Sequence, residues 1–111
     1  MKIRELIVDL YGCEVDLNDP SWLASVLASA AKEIGSTIVK TVSHQFSPIG
    51  TTVILLLAET HISIHTWPQH KYAALDIFIC SEANPEVAWQ VVKAALKPKS
   101  FKTRGINRQV T

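Results

Sequence analysis

The sequence predicts an α+β fold, a two-layer sandwich in which one antiparallel sheet is covered by two helices. Three observations carry this. Two stretches, 19–35 and 84–98, place apolar residues at helical spacing, and each opens on Asp or Asn followed by Pro. Six further stretches show strand alternation or β-branched apolar runs. The links between the middle strands are too short for a parallel crossover, which favours antiparallel pairing. The predicted order within 111 residues is strand, helix, strand, strand, strand, strand, helix, strand, a single domain over 1–111.

Residues 3–11 alternate, with Leu6, Val8 and Leu10 on one face and Ile7, Asp9 and Tyr11 on the other. Gly12 to Asn18 is a polar connection. Asp19 caps a helix whose first turn holds Pro20, because the N–H that Pro lacks has no helical partner there. Trp22, Leu23, Val26, Leu27, Ala30 and Ile34 form its apolar stripe, and Gly35 stops it. Ser36 to Phe46 is a β-branched strand, and Ser47-Pro48-Ile49-Gly50 turns it back. Thr51 to Ala58 reads as a buried strand by its composition. Residues 61–67 alternate again and end at Pro68, followed by a loop at Gln69-His70-Lys71. Tyr72 to Cys80 puts Ala73, Leu75, Ile77 and Ile79 on one face and Tyr72, Ala74, Asp76, Phe78 and Cys80 on the other. Asn84-Pro85-Glu86 starts a second helix, with Val87, Ala88, Val91, Val92 and Ala95 as its inner stripe. Ser100 to Asn107 supplies a last strand.

Apolar residues make up 48% of the chain, enough for an ordinary core and too many for a disordered one. The formal net charge is +1, which points to no nucleic-acid partner. The basic residues Lys97, Lys99, Lys102, Arg104 and Arg108 read as a solvated terminal strand. The longest apolar run, Val53 to Ala58, is far too short to cross a bilayer, and Met1 to Glu5 does not open a secretory signal. Two cysteines, Cys13 and Cys80, make no disulfide framework. The expectation is a soluble protein of a reducing compartment, cytoplasmic by default and without a membrane partner.

Chemistry concentrates around Thr60. This hydroxyl residue follows Glu59 directly, precedes His65 by five residues and lies twenty before Cys80. A hydroxyl, a base and a thiol at these spacings suggest chemistry performed on the chain itself. As a strand, 61–67 puts His61, Ser63, His65 and Trp67 on one face, away from Ile62 and Ile64. His61 and His65 would then lie roughly 13 Å apart at about 3.3 Å per residue, too far to share one metal ion, so no metal is expected. A cysteine hydrolase pairing Cys80 with a histidine fits the residue types without a local signature.

The string Thr60-His61-Ile62-Ser63-Ile64-His65-Thr66-Trp67-Pro68, with Tyr72-Ala73-Ala74 and Asp76-x-Phe78-x-Cys80, closely resembles the small prokaryotic S-adenosylmethionine decarboxylases. The likeness extends to Leu10-Tyr11-x-Cys13, Gly35-x-Thr37-Ile38-Val39 and His44-x-Phe46-x-Pro48-x-Gly50, nearly the whole chain. That family is made as a proenzyme that cuts itself before a serine and converts the serine into a pyruvoyl cofactor. The resemblance implies a cut between Glu59 and Thr60, with His65 assisting processing and Thr52 supporting it. It implies Cys80 as the proton donor, and Phe46 and Trp67 beside the substrate nucleoside. The substrate amine would form a Schiff base with the keto group and lose carbon dioxide, yielding the aminopropyl donor for spermidine synthesis. A homodimer with sites near its two-fold interface is also implied.

Two positions depart from the family. Thr60 replaces the serine, so the same chemistry would leave a 2-oxobutanoyl group, one methyl larger than pyruvoyl. Its hydroxyl is secondary and its rotamers are restricted. Gln69 stands where glutamate is usual after Trp-Pro, and one amide oxygen replaces a carboxylate that could accept from both ribose hydroxyls. Two alternatives follow: a chain left uncut and non-catalytic by Thr60, and a decarboxylase of another amino acid such as ornithine or arginine.

Overall fold

A computed structural model describes residues 1–58, 60–80 and 82–111. The elements run β1 (Lys2–Tyr11), α1 (Pro20–Glu33), β2 (Ile38–Gln45), β3 (Thr51–Leu57), β4 (His61–Trp67), a 3-10 turn (Pro68–His70), β5 (Tyr72–Cys80), α2 (Pro85–Leu96) and β6 (Ser100–Gln109). The strands form one sheet in the order β2-β3-β4-β5-β1-β6, every neighbouring pair antiparallel. This is the α+β sandwich that the residue pattern predicts. β1 lies between β5 and β6, pairing Leu6 with Ile77 on one side and with Gly105 on the other.

Both helix starts follow from their sequences. Asp19 accepts a hydrogen bond from the Trp22 backbone N–H at 3.1 Å, and Asn84 accepts one from Glu86 at 3.0 Å. Gly35 ends the first helix at a φ of 73°, a left-handed conformation that glycine adopts without a Cβ clash. Alternation then builds the core. Leu6, Val8 and Leu10 of β1, Val53, Leu55 and Leu57 of β3, Ile62 and Ile64 of β4, and Leu75, Ile77 and Ile79 of β5 all turn toward the helices and are buried.

Two expectations need correction. The apolar run of β3 is not buried on both faces: Ile54 is 38% exposed and Leu56 48%. The helices cover one side of the sheet, so alternate residues of this strand face outward. In α2 the inner stripe is Pro85, Ala88, Trp89, Val92 and Leu96, while Val87 is exposed. Each residue turns the helix by about 100°, so a stripe centred on Trp89 leaves Val87 outside it. Trp89 sets the phase because its ring, 1% exposed, packs edge-on against Phe101 of β6 at 5.3 Å.

Candidate active site

Strand parity and one hairpin position the reactive side chains. β3 and β4 pair so that Leu57 and Thr60 exchange both backbone hydrogen bonds, 2.8 Å to the Thr60 carbonyl and 3.3 Å from its N–H. Thr60 is thereby fixed at the entry of β4, 7% exposed. It lines a cleft of about 330 Å³ together with Cys80, at the end of β5, and with Gly35, Ser36, Thr37 and Glu82. Glu59, the other side of the predicted cut, lies outside the described residues. The two cysteines are set apart by environment. Cys13 is buried in the core, and burial pushes its thiol up to about 11. Cys80 is half-buried and lines the cleft.

The remaining predicted residues gather elsewhere. Register sets Thr52 of β3 opposite His65 of β4, and Thr52 Oγ1 and His65 Nδ1 are hydrogen-bonded at 2.8 Å. This pair lines a second cleft, of about 320 Å³, with Phe46, Trp67 and Gln69. The turn that carries Phe46 is held by the 12–18 connection. Asn18 Oδ1 accepts from Gly50 N–H at 2.8 Å, and its carbonyl accepts from Gln45 Nε2 at 2.6 Å. The buried Thr66 hydroxyl donates to the Leu17 carbonyl at 2.8 Å, tying β4 to the same connection. Two groups of aromatic rings flank this cleft, one at Phe46 and one at Trp67. His44 meets Phe46 at 4.6 Å, Trp67 meets Tyr72 at 5.4 Å, and Tyr72 meets Tyr11 at 5.4 Å. The Tyr72 hydroxyl donates to Asp9 Oδ1 at 2.5 Å.

Of the predicted constellation, then, the chain joins Thr60 to Cys80 in one cleft, and His65 to Thr52, Phe46, Trp67 and Gln69 in another. It does not join the two sets. Five residues of extended chain separate Thr60 from His65, roughly 16 Å at about 3.3 Å per residue. Glu82, Ser36 and Thr37 were not predicted as site residues. Glu82 follows Cys80 by two positions and was within reach of sequence reasoning. Ser36 and Thr37 arrive from the α1–β2 link, which only the fold brings to Thr60.

Fold and clefts together define a two-layer α+β protein in which Thr60, at the β3–β4 junction, shares a cleft with Cys80 at the end of β5. The sequence model of the S-adenosylmethionine decarboxylase family matches residues 4–109. An S-adenosylmethionine decarboxylase proenzyme of Prochlorococcus marinus is 38% identical over 108 residues, 96% of this chain and 86% of that protein. The proenzyme of Methanococcus aeolicus is 41% identical over 107 residues, 95% of this chain and 92% of that one. The crystal structure of the adenosylmethionine decarboxylase from Aquifex aeolicus superimposes with a TM-score of 0.85 at 32% identity, covering 98% and 92% of the two chains. The chain belongs to the S-adenosylmethionine decarboxylase family.

Proposed function

We propose that this protein is a self-processing S-adenosylmethionine decarboxylase, a pyruvoyl-type carboxy-lyase of spermidine biosynthesis. The observation that carries the reading is the shared cleft of Thr60 and Cys80. Residue 60 is the source of the cofactor, through a cut after Glu59. From threonine the product is a 2-oxobutanoyl group. The group fits the space present, because it has no more carbon atoms than the Thr60 residue that already lines this cleft. At the new N-terminus of β4 this group supplies an electrophilic carbonyl that draws electrons from the substrate α-carbon as carbon dioxide leaves.

The chain's own side chains do the rest. The Cys80 thiol, on the wall of the same cleft, returns a proton to the α-carbon. The Thr52 hydroxyl orients the His65 ring for processing through Nδ1. Phe46 and Trp67 offer aromatic faces to the nucleoside and to the sulfonium, a cation with no hydrogen-bond donors. Gln69 lines the same cleft and offers its amide to the ribose hydroxyls.

Each half of this machinery is incomplete within one chain, which supports a working homodimer. The sheet face away from the helices exposes Ile54, Leu56, Val42 and Trp67, an apolar surface of the kind that association covers. Pairing two such faces can bring His65 and Thr52 of one copy to Thr60 and Cys80 of the other. No helix among the described residues is long and apolar enough to cross a membrane, and we place the enzyme in the cytoplasm.

Co-expression of Thr60→Ala and His65→Ala chains tests the reading. Each alone is expected to remain uncut and inactive. Mixed dimers hold one complete pairing of Thr60 with His65, so mass spectrometry should find cleaved His65→Ala chains, with carbon dioxide release from labelled S-adenosylmethionine. A mixture as inert as its parents would rule out sites shared between copies. An unmutated chain that yields neither fragments nor carbon dioxide on long incubation would rule out the decarboxylase itself.

A further inference from the structure

The cleft at Thr60 and Cys80 is lined by one charged side chain among the described residues, that of Glu82. Ser36 and Thr37 add neutral hydroxyls from the α1–β2 link, and the remaining described lining is apolar or glycine apart from Thr60 and Cys80 themselves. The amino-acid end of the proposed substrate enters this cleft with an α-ammonium and an α-carboxylate, and its sulfonium lies three bonds away from the α-carbon. The carboxylate must leave as a neutral molecule. A cation beside it would stabilise the ground state and oppose its departure. A carboxylate on the wall has the opposite effect: it attracts the ammonium and repels the group that is lost.

We propose that Glu82 orients the amino-acid end of the substrate in this cleft, drawing the α-ammonium toward itself and turning the α-carboxylate toward Ser36 and Thr37. The inference rests on the decarboxylase reading and adds a positioning residue to it. Its magnitude follows from Coulomb's law. A cleft of about 330 Å³ is roughly 9 Å across, and a unit charge over that distance changes affinity about 2- to 20-fold as the effective dielectric falls from 80 to 20.

Binding to the Thr60→Ala chain, which makes no cofactor and turns nothing over, reads this directly. S-adenosylmethionine and its methyl ester are titrated calorimetrically into that chain and into the same chain carrying Glu82→Gln, with circular dichroism to verify folding. The two ligands differ in the carboxylate charge and the ester methyl; because esterification lowers the α-amine pKa, the titrations are run at a pH low enough to keep both amines protonated. Glu82→Gln should lower the ester-to-acid affinity ratio about 2- to 20-fold at low salt, and by less at 1 M salt, where screening shortens to about 3 Å. Glu82→Asp should restore part of the ratio. A general structural defect would weaken both ligands together and leave the ratio unchanged. An unchanged ratio with both ligands bound overturns the role of Glu82 and leaves the decarboxylase reading standing. Failure of the parent chain to bind either ligand overturns both.

Discussion

Thr60 differs from a serine by one methyl, and that methyl sits on the carbon that bears the attacking hydroxyl. A β-branched residue has fewer χ1 rotamers from which to reach the preceding carbonyl. Added bulk in a packed site costs about 1–3 kcal/mol, which as a barrier corresponds to roughly 5- to 200-fold in rate. Thr60→Ser is therefore expected to accelerate self-cleavage by a factor in that range, followed as fragment appearance by mass spectrometry. Cleavage that stays at the parent rate would mean that residue 60 is not a hindered processing site. Cys80 acts at a different stage. Cys80→Ala should leave cleavage intact and lower turnover about 10²- to 10⁴-fold, the usual worth of a positioned acid. Carbon dioxide release from a fully cleaved variant measures it, and equal loss of cleavage and turnover would reassign the thiol to processing.

Elements act through phase. A helix presents one stripe to the sheet, and the largest side chain that can be buried decides which stripe. In α2 that residue is Trp89, wedged between the sheet and Phe101, with Lys93 Nζ 4.5 Å from the centre of the Phe101 ring. Trp89→Ala should cost about 3–5 kcal/mol in urea unfolding, whereas Val87→Ala, on the exposed side, should stay within about 0.5 kcal/mol. Comparable losses at both positions would contradict the phase. Strands act through parity in the same way. Because β3 and β4 pair Thr52 with His65, a one-residue slip of either strand would send that strand's side chain to the opposite face and part the pair. The hydrogen bond between them is thus a product of register, and register is fixed by the buried Val53, Leu55, Ile62 and Ile64.

At the scale of the whole molecule, the helix-free face combines apolar residues with an unusual charge arrangement. Glu5 of β1 adjoins Asp76 of β5, whose Oδ1 is buried and accepts no hydrogen bond from the described residues. Burial raises the Glu5 pKa above its ordinary value of 4.5, and the neighbouring Asp76 raises it further, against smaller opposing effects of Arg108 and His61. The folded chain therefore holds this proton more tightly than the unfolded chain. The stability it contributes is full below 4.5 and is lost as pH rises through the higher folded value. Glu5→Gln should remove that loss: thermal midpoints of variant and parent should converge near pH 4 and separate toward neutrality, the variant melting higher. Parallel curves over the whole interval would show that Glu5 does not titrate abnormally. Association through this face would bury the pair more deeply and sharpen the effect.

The sequence by itself determined the element order, both helix starts, the parity of β1, β4 and β5, and the family, because each is written in local chemistry. Asp19-Pro20 and Asn84-Pro85 need only their own turns, and alternation needs only the two-residue period of a strand. The spacing of Thr60, His65 and Cys80 likewise named the candidate residues without the fold. Only the tertiary structure decided which of them meet. It set Thr60 with Cys80 and His65 with Thr52, and it brought Ser36 and Thr37 to the first cleft from a distant link. Proximity of this kind depends on strand order and register, which arise from packing one buried face against two helices. No local pattern encodes the distance between two ends of the same strand's neighbours, so the division of the site into two clefts became visible only once the sheet was assembled.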